Sequence, residues 1–275
     1  MVQFSTDRGA VAVWQGRNGA RSPFELGAGD GFASLAQVDR AWLGAARIGA
    51  LTFTADAGAG DRAMPVQSSE EEVSRYTRFA MKWDASPTAQ LTFAGGHLEE
   101  RMGPLGAYVP LGSGFEMPSD STFAGVSGQF GLGSGLWLDA EMGWARTDLA
   151  GQFLSLSEQA VSSSWRLGLT SVCDQLGLGC RSLTWSISQP LLVESGQFSA
   201  WLPDAPLDYF DPLTFSERRF SASPTGRQID LALGSVHALP DGSFLNLRAV
   251  VTRDDRHVRT AAPAFGLMGQ WRTSF

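Results

Sequence analysis

In the C-terminal stretch Phe265-Gly266-Leu267-Met268-Gly269-Gln270-Trp271-Arg272-Thr273-Ser274-Phe275, the residues Phe265, Leu267, Gly269, Trp271 and Phe275 fall on one face of an extended chain. Gly266, Met268, Gln270, Arg272 and Ser274 fall on the other. Side chains leave a strand on opposite faces in turn, so a strand set between lipid and a watery interior needs this period of two. A strand of a soluble sandwich shows the same period. What decides between them is how often the pattern recurs and what the rest of the composition allows.

The pattern recurs along the whole chain. Leu183, Trp185 and Ile187 interleave with Ser182, Thr184, Ser186 and Ser188, and Leu245, Leu247, Ala249 and Val251 with Asn246, Arg248 and Thr252. Trp165, Leu167 and Leu169 oppose Arg166, Gly168 and Thr170, while Ile229, Leu231 and Leu233 oppose Gln228, Asp230, Ala232 and Gly234. Earlier, Leu51, Phe53 and Ala55 oppose Thr52, Thr54 and Asp56, and Phe79, Met81 and Trp83 oppose Ala80, Lys82 and Asp84. Leu91 and Phe93 face away from Gln90 and Thr92, and Leu136, Leu138, Met142 and Trp144 away from Asp139 and Glu141. The chain has 32 glycines, 9 tryptophans and only 18% charged residues, a composition nearer to a lipid-exposed barrel than to a charged cytosolic surface. No apolar run approaches the roughly 18 residues that a spanning helix needs. The expected fold is therefore all-β, a closed antiparallel transmembrane β-barrel. At about 10 residues per strand plus turns, 275 residues make about 12 strands.

The strands expected are 10–17, 38–46, 51–57, 75–84, 88–97, 120–130, 135–147, 158–171, 181–192, 196–202, 226–238, 243–253 and 262–275. Turns read at Ala85-Ser86-Pro87, Gly131-Leu132-Gly133-Ser134, Glu194-Ser195-Gly196 and Pro240-Asp241-Gly242. Long connections read at 18–37, 58–74, 98–119 and 203–225. A barrel places short turns at one end and long loops at the other. Counted back from the last strand, this list puts 98–119 at the short-turn end, which predicts a further strand between 98 and 158. Trp83, Trp144, Trp201 and Trp271 lie near strand ends, where interfacial aromatic girdles form.

Net charge is −7, and Lys82 is the only lysine, so no basic stripe exists to hold nucleic acid. Lys82, Asp139, Glu141, Arg166, Asp230 and Arg248 fall on or beside the polar side of their strands, as residues lining a hydrated interior would. They either meet a chain in transit or neutralise one another. Cys173 and Cys180 bracket a short segment between two strands and either close a small disulfide or stay as two thiols. Glu70, Glu71 and Glu72 read as a solvated loop and not a metal site, and Gly58-Ala59-Gly60 and Gly131-Leu132-Gly133 as turns without the helix and lysine of a phosphate loop. His97, His237 and His257 meet no nucleophile in an arrangement legible from sequence. No catalytic, metal or cofactor site is expected.

The second half resembles the C-terminal autotransporter β-barrel domain found behind subtilisin-like serine proteases of alphaproteobacteria. The resembling pieces are Ser188-Gln189-Pro190-Leu191-Leu192-Val193-Glu194-Ser195-Gly196, Ala200-Trp201-Leu202-Pro203, Ser223-Pro224-Thr225-Gly226-Arg227-Gln228-Ile229-Asp230, Arg253-Asp254-Asp255-Arg256-His257 and the terminal strand. Weaker similarity runs through Leu98-Glu99-Glu100-Arg101, Ser121-Thr122-Phe123-Ala124-Gly125 and Gly143-Trp144-Ala145-Arg146-Thr147. The resemblance implies a type V secretion translocator in the bacterial outer membrane, in contact with its lipids. It would export and anchor a covalently attached passenger upstream, and it is not itself an enzyme. Subtilisin-like Asp, His and Ser motifs would belong to that passenger and have no counterpart here. Phe265, Leu267, Gly269, Trp271 and Phe275 resemble the signal read by the barrel-assembly machinery. On this reading 46–275 is the translocator, and 1–45 an N-terminal segment that is either its first strands or the junction with the passenger. Met1–Gly9 lacks a basic region followed by an apolar core, so a longer precursor or a truncated gene model is expected. The rival readings are a free-standing porin and an outer-membrane lipid hydrolase.

Overall fold

The computed structural model of the chain describes residues 2–6, 9–20, 38–64, 67–101, 104, 117–151, 154–173, 180–204, 212, 214–239 and 243–272. It is all-β. Among the described residues fourteen strands form one antiparallel sheet: β1 (Val2–Thr6), β2 (Gly9–Ala20), β3 (Val38–Ile48), β4 (Leu51–Met64), β5 (Gln67–Ser86), β6 (Ala89–Glu100), β7 (Ser119–Gly133), β8 (Leu136–Leu149), β9 (Leu154–Val172), β10 (Ser182–Pro203), β11 (Phe215–Ser221), β12 (Ile229–Ala238), β13 (Phe244–Arg253) and β14 (Ala264–Arg272). Twelve are nine residues or longer; β1 and β11 are the short ones, and the sequence reading missed both. Each strand pairs with the next in the chain, except that β11 folds back on the far half of β10 and β12 takes the near half. Among the described residues β1 pairs only with β2 and β14 only with β13, so the sheet is open between them. The sheet runs without interruption through residue 46, inside β3.

The strands turn where the sequence allows a tight reversal. Ser134 and Gly135, both at positive φ (50° and 70°), make the two-residue hairpin loop whose twist matches the flanking strands. Thr88 donates its backbone N–H to Ser86 Oγ (3.2 Å) across the loop that holds Pro87.

Three expectations need correction. Glu194-Ser195-Gly196 is not a turn: β10 runs on through it as a bulged strand, with register shifts against β9 between Gln189 and Phe198. Gly196 serves the bulge, because at φ 139° a Cβ would stand 2.9 Å from the Cα of Ala160. Second, most of 58–74 is strand, the ends of β4 and β5. Third, β6, β7, β8 and β9 are direct neighbours, so no extra strand lies between 98 and 158 among the described residues. With the false turn removed, the long connections gather at one end. The segments 7–8, 49–50, 87–88, 134–135, 173–181 and 239–243 join strands at one end; every connection of ten residues or more (21–37, 101–118, 204–228 interrupted by β11, and 254–263) lies at the other, together with the short ones 65–66 and 150–153. β14 finishes at the short-turn end.

Burial is inverted relative to a soluble sandwich. Asp56, Arg78, Ser121, Thr147 and Ser162 are at most 2% exposed, while Phe79, Phe265 and Leu267 are 67–71% exposed. One lateral row of the apolar face reads Trp83, Leu91, Gly128, Ala140, Leu167, Ile187, Leu231, Val251 and Phe265, strand after strand. The buried residues are mainly polar or small, with Tyr76, Leu98, Phe123, Leu149 and Leu192 as the large apolar exceptions. β14 is exposed on both faces.

Candidate functional site: the polar face of the sheet

Register places all six predicted polar residues on one face. Lys82, Thr92, Ser127, Glu141, Arg166, Ser188, Asp230 and Thr252 form a single lateral row across eight strands. Asp139 stands one row below, 4.0 Å from Arg166 Nε, and Arg248 is in register with Gly234, which pairs with Thr184 on the same face. Asp230 accepts hydrogen bonds from Thr252 Oγ1 (2.8 Å) and Gln228 Nε2 (3.0 Å). Lys82 Nζ lies 3.8 Å and Arg47 3.6 Å from Asp84, which also accepts from Gln90 Nε2 at 2.9 Å. The row mixes basic, neutral and acidic groups, with no concentrated charge of one sign.

The most buried pair on this face, Asp56 and Arg78, was not foreseen. They are cross-strand partners on β4 and β5, with Arg78 Nε donating to Asp56 Oδ1 at 2.9 Å. Beside them Phe123 packs over Gly96, where any Cβ would run into its ring. Asp56 Oδ2 and Ser162 Oγ are buried without a hydrogen-bond partner among the described residues, and register puts both in one lateral row through Arg78, Gly96, Phe123 and Ala145. Periodicity did place Asp56 on the polar side; only the strand register reveals its partner.

A second polar cluster fills the seam between β10 and β12. Their ladder covers only Ser182–Ser188 against Asp230–Val236. Beyond it the segment 222–228 runs beside β10, and side chains replace the missing ladder bonds. His257 Nδ1 accepts from the Gln228 backbone N–H at 3.0 Å, and its Nε2 donates to the Leu191 carbonyl at 2.9 Å. Gln189, 1% exposed, accepts from Trp165 Nε1 (3.1 Å) and from Arg227, and donates to Ser163 Oγ at 3.2 Å. Glu194 accepts from Ser163 Oγ (2.7 Å) and Arg227 Nη2 (2.6 Å). Asp254, Arg256 and His257 sit at positive φ around the short 3-10 turn Asp255–His257, backbone strain that the His257 bonds help to hold. Sequence pieces of the family resemblance, Gln189 to Glu194, Arg227-Gln228 and His257, thus meet at one place.

The other predicted residues are distributed as follows. Cys173 and Cys180 form a disulfide at the short-turn end, Cα–Cα 5.2 Å. Phe265, Leu267, Gly269 and Trp271 share the apolar face of β14, where Trp271 Nε1 donates to Ser243 Oγ at 2.9 Å; Phe275 lies outside the described residues. Trp83 and Trp271 lie toward the short-turn end, Trp144 toward the opposite one, and Trp201 beyond it, paired with Glu217 of β11. Glu70, Glu71 and Glu72 fall within β5.

Among the described residues the three histidines have different partners. His97 Nε2 faces carboxylates, Asp120 at 3.1 Å and Glu99 at 3.5 Å. His237 Nε2 lies 3.1 Å from Ser235 Oγ, a contact sequence reasoning missed, yet no carboxylate or amide orients the ring among the described residues. His257 is committed to backbone groups. No family model matches the chain, and neither a curated protein nor a solved structure matches it.

Proposed function

We propose that this chain is a bacterial outer-membrane β-barrel, the translocator unit of a type V secretion protein that exports and anchors a passenger attached upstream. The observation that carries the membrane part is the inverted burial: leucines, phenylalanines and tryptophans on the exposed face, aspartate, arginine, serine and threonine on the hidden one. Water penalises that arrangement and hydrocarbon rewards it. The gathering of every connection of ten residues or more at one end, with β14 ending at the other, supports the same reading. In lipid the free edges of β1 and β14 carry unpaired backbone groups at several kcal/mol each, so the barrel closes between the N-terminal edge and β14. The secretion part rests on the resemblance of the second half and on a wall whose mixed charges let an unfolded chain pass without trapping it. The work is passage and anchoring; it needs no cofactor and no catalysis by this chain.

The test is to place a signal peptide and a reporter domain upstream, in frame, and to probe intact cells of a Gram-negative host with protease. Cleavage of the reporter on intact cells is expected. An inserted barrel with its reporter held in the periplasm would overturn the secretion reading, and steady ion conductance from the isolated chain would point to a porin instead. A chain that stays dissolved and monomeric in buffer without detergent would overturn the membrane reading itself.

A further inference from the structure

The apolar face is not uniformly bulky. Across β2 to β5 it is floored by small residues, Gly44, Ala46, Ala55 and Ala57, between the projecting Trp42 and Phe79. This makes two adjoining depressions of about 660 Å³ and about 380 Å³, one above the other along the strands. The upper one ends at a row with a different chemistry: Arg40 of β3 pairs with Ala59 of β4, and Ala59 with Arg75 of β5. Two arginines on the same face are thus separated by a single alanine, their Cα atoms two strand spacings, about 10 Å, apart. They stand toward the end that carries the long connections. Arg75 also approaches Glu99 Oε2 at 4.0 Å, and its side chain is 57% exposed.

We infer that this groove binds one lipid molecule of the leaflet on the long-connection side, a phosphorylated, multiply acylated glycolipid of the lipid A type. Its acyl chains would lie on the alanine and glycine floor, with a headgroup phosphate between the Arg40 and Arg75 guanidinium groups. The inference rests on the outer-membrane reading above. Guanidinium groups recognise phosphate through paired N–H donors, and in a chain of net charge −7 two of them over one alanine at the mouth of an apolar groove complement an anionic headgroup joined to hydrocarbon. The long-connection end of an outer-membrane barrel faces outward, where the leaflet is built from such glycolipid. Glu99 competes for Arg75 and tempers the affinity.

The experiment uses the full chain folded in zwitterionic detergent micelles and titrated with purified diphosphoryl lipid A or phosphatidylglycerol, with retained lipid read by native mass spectrometry. Lipid A adducts are expected to persist, and R40Q/R75Q to weaken retention tenfold or more. Ala57→Phe, which fills the groove from the lipid side and leaves both arginines, should weaken it similarly. Arg146→Gln, on the same face of β8 away from the groove, should leave it unchanged, and Glu99→Gln should strengthen it. Equal retention by wild type and R40Q/R75Q, or phosphatidylglycerol held as tightly as lipid A, would overturn the proposal. Insertion into micelles is followed separately by the change in gel migration on heating. A wild-type chain that never inserts sinks the membrane reading and this inference with it, whereas insertion without discrimination sinks the groove alone.

Discussion

Asp56 and Arg78 show what a buried charge pair demands of its surroundings. Both side chains are 1% exposed and meet at 2.9 Å, so removing either one takes the opposite charge away from the other in a place that water does not reach. Asp56→Leu or Arg78→Met alone should cost about 3–5 kcal/mol, whereas the double replacement should cost clearly less, because a well-packed apolar pair carries no desolvation penalty. Thermal unfolding in detergent of the two single variants and the double one measures this, and equal losses in all three would show that packing, not charge, sets the cost. Half of the pair was legible in the sequence. Alternation in 51–56 put Asp56 on the polar side, but nothing local links it to a residue 22 positions on; the link appears only when β4 and β5 are laid in register. His257 was opaque for a similar reason, since both of its partners are backbone groups remote in the chain. His257→Leu orphans the Gln228 N–H and the Leu191 carbonyl and should destabilise the seam by about 1–3 kcal/mol. Faster amide exchange confined to 189–192 and 226–228, with β4 to β8 unchanged, is the expected signature.

At the scale of elements, β10 carries the main lesson. Glycine after Glu-Ser reads as a turn, and the reading split one strand into two; in the fold, the left-handed tolerance of Gly196 is spent on a bulge against Ala160. That single misreading reversed the assignment of every connection before it and called for a strand that is not there. β4 and β5 were read seven and eight residues short at their long-connection ends, and the remaining long elements within about four residues, because their large residues alternate. β1 and β11, five and seven residues long, offer too few alternations to stand out.

For the whole molecule, the proposed membrane setting turns on which face would meet hydrocarbon. Leu231 and Ala232 are neighbours on β12 with side chains on opposite faces, the first 53% exposed on the apolar face, the second in the polar row of Ser186. In a bilayer, Leu231→Arg should cost about 2–4 kcal/mol if it lies near the midplane, and Ala232→Arg far less. Refolding yields into lipid vesicles compare the two directly, and the opposite ranking would mean that the faces have been assigned the wrong way round. The inversion was present in the sequence as alternation; its direction was not, because period two is blind to which side is wet. Composition supplied a leaning, and the burial of Asp56, Arg78 and Ser121 supplies the direction.

β11 lends this wall an appendage with a life of its own. It extends the sheet past β10 with Phe198 paired to Phe220 and Trp201 to Glu217, and its remaining long side meets no strand among the described residues. A bare ribbon margin of this kind invites other polypeptides to add themselves as a further rung, and the run Glu217-Arg218-Arg219, held by Ser199, Asp204 and one another, is the deterrent. Replacing Arg218 and Arg219 with threonine should turn that margin into a template: purified protein would form concentration-dependent, sheet-rich oligomers, visible by light scattering and thioflavin fluorescence, while the parent stays dispersed.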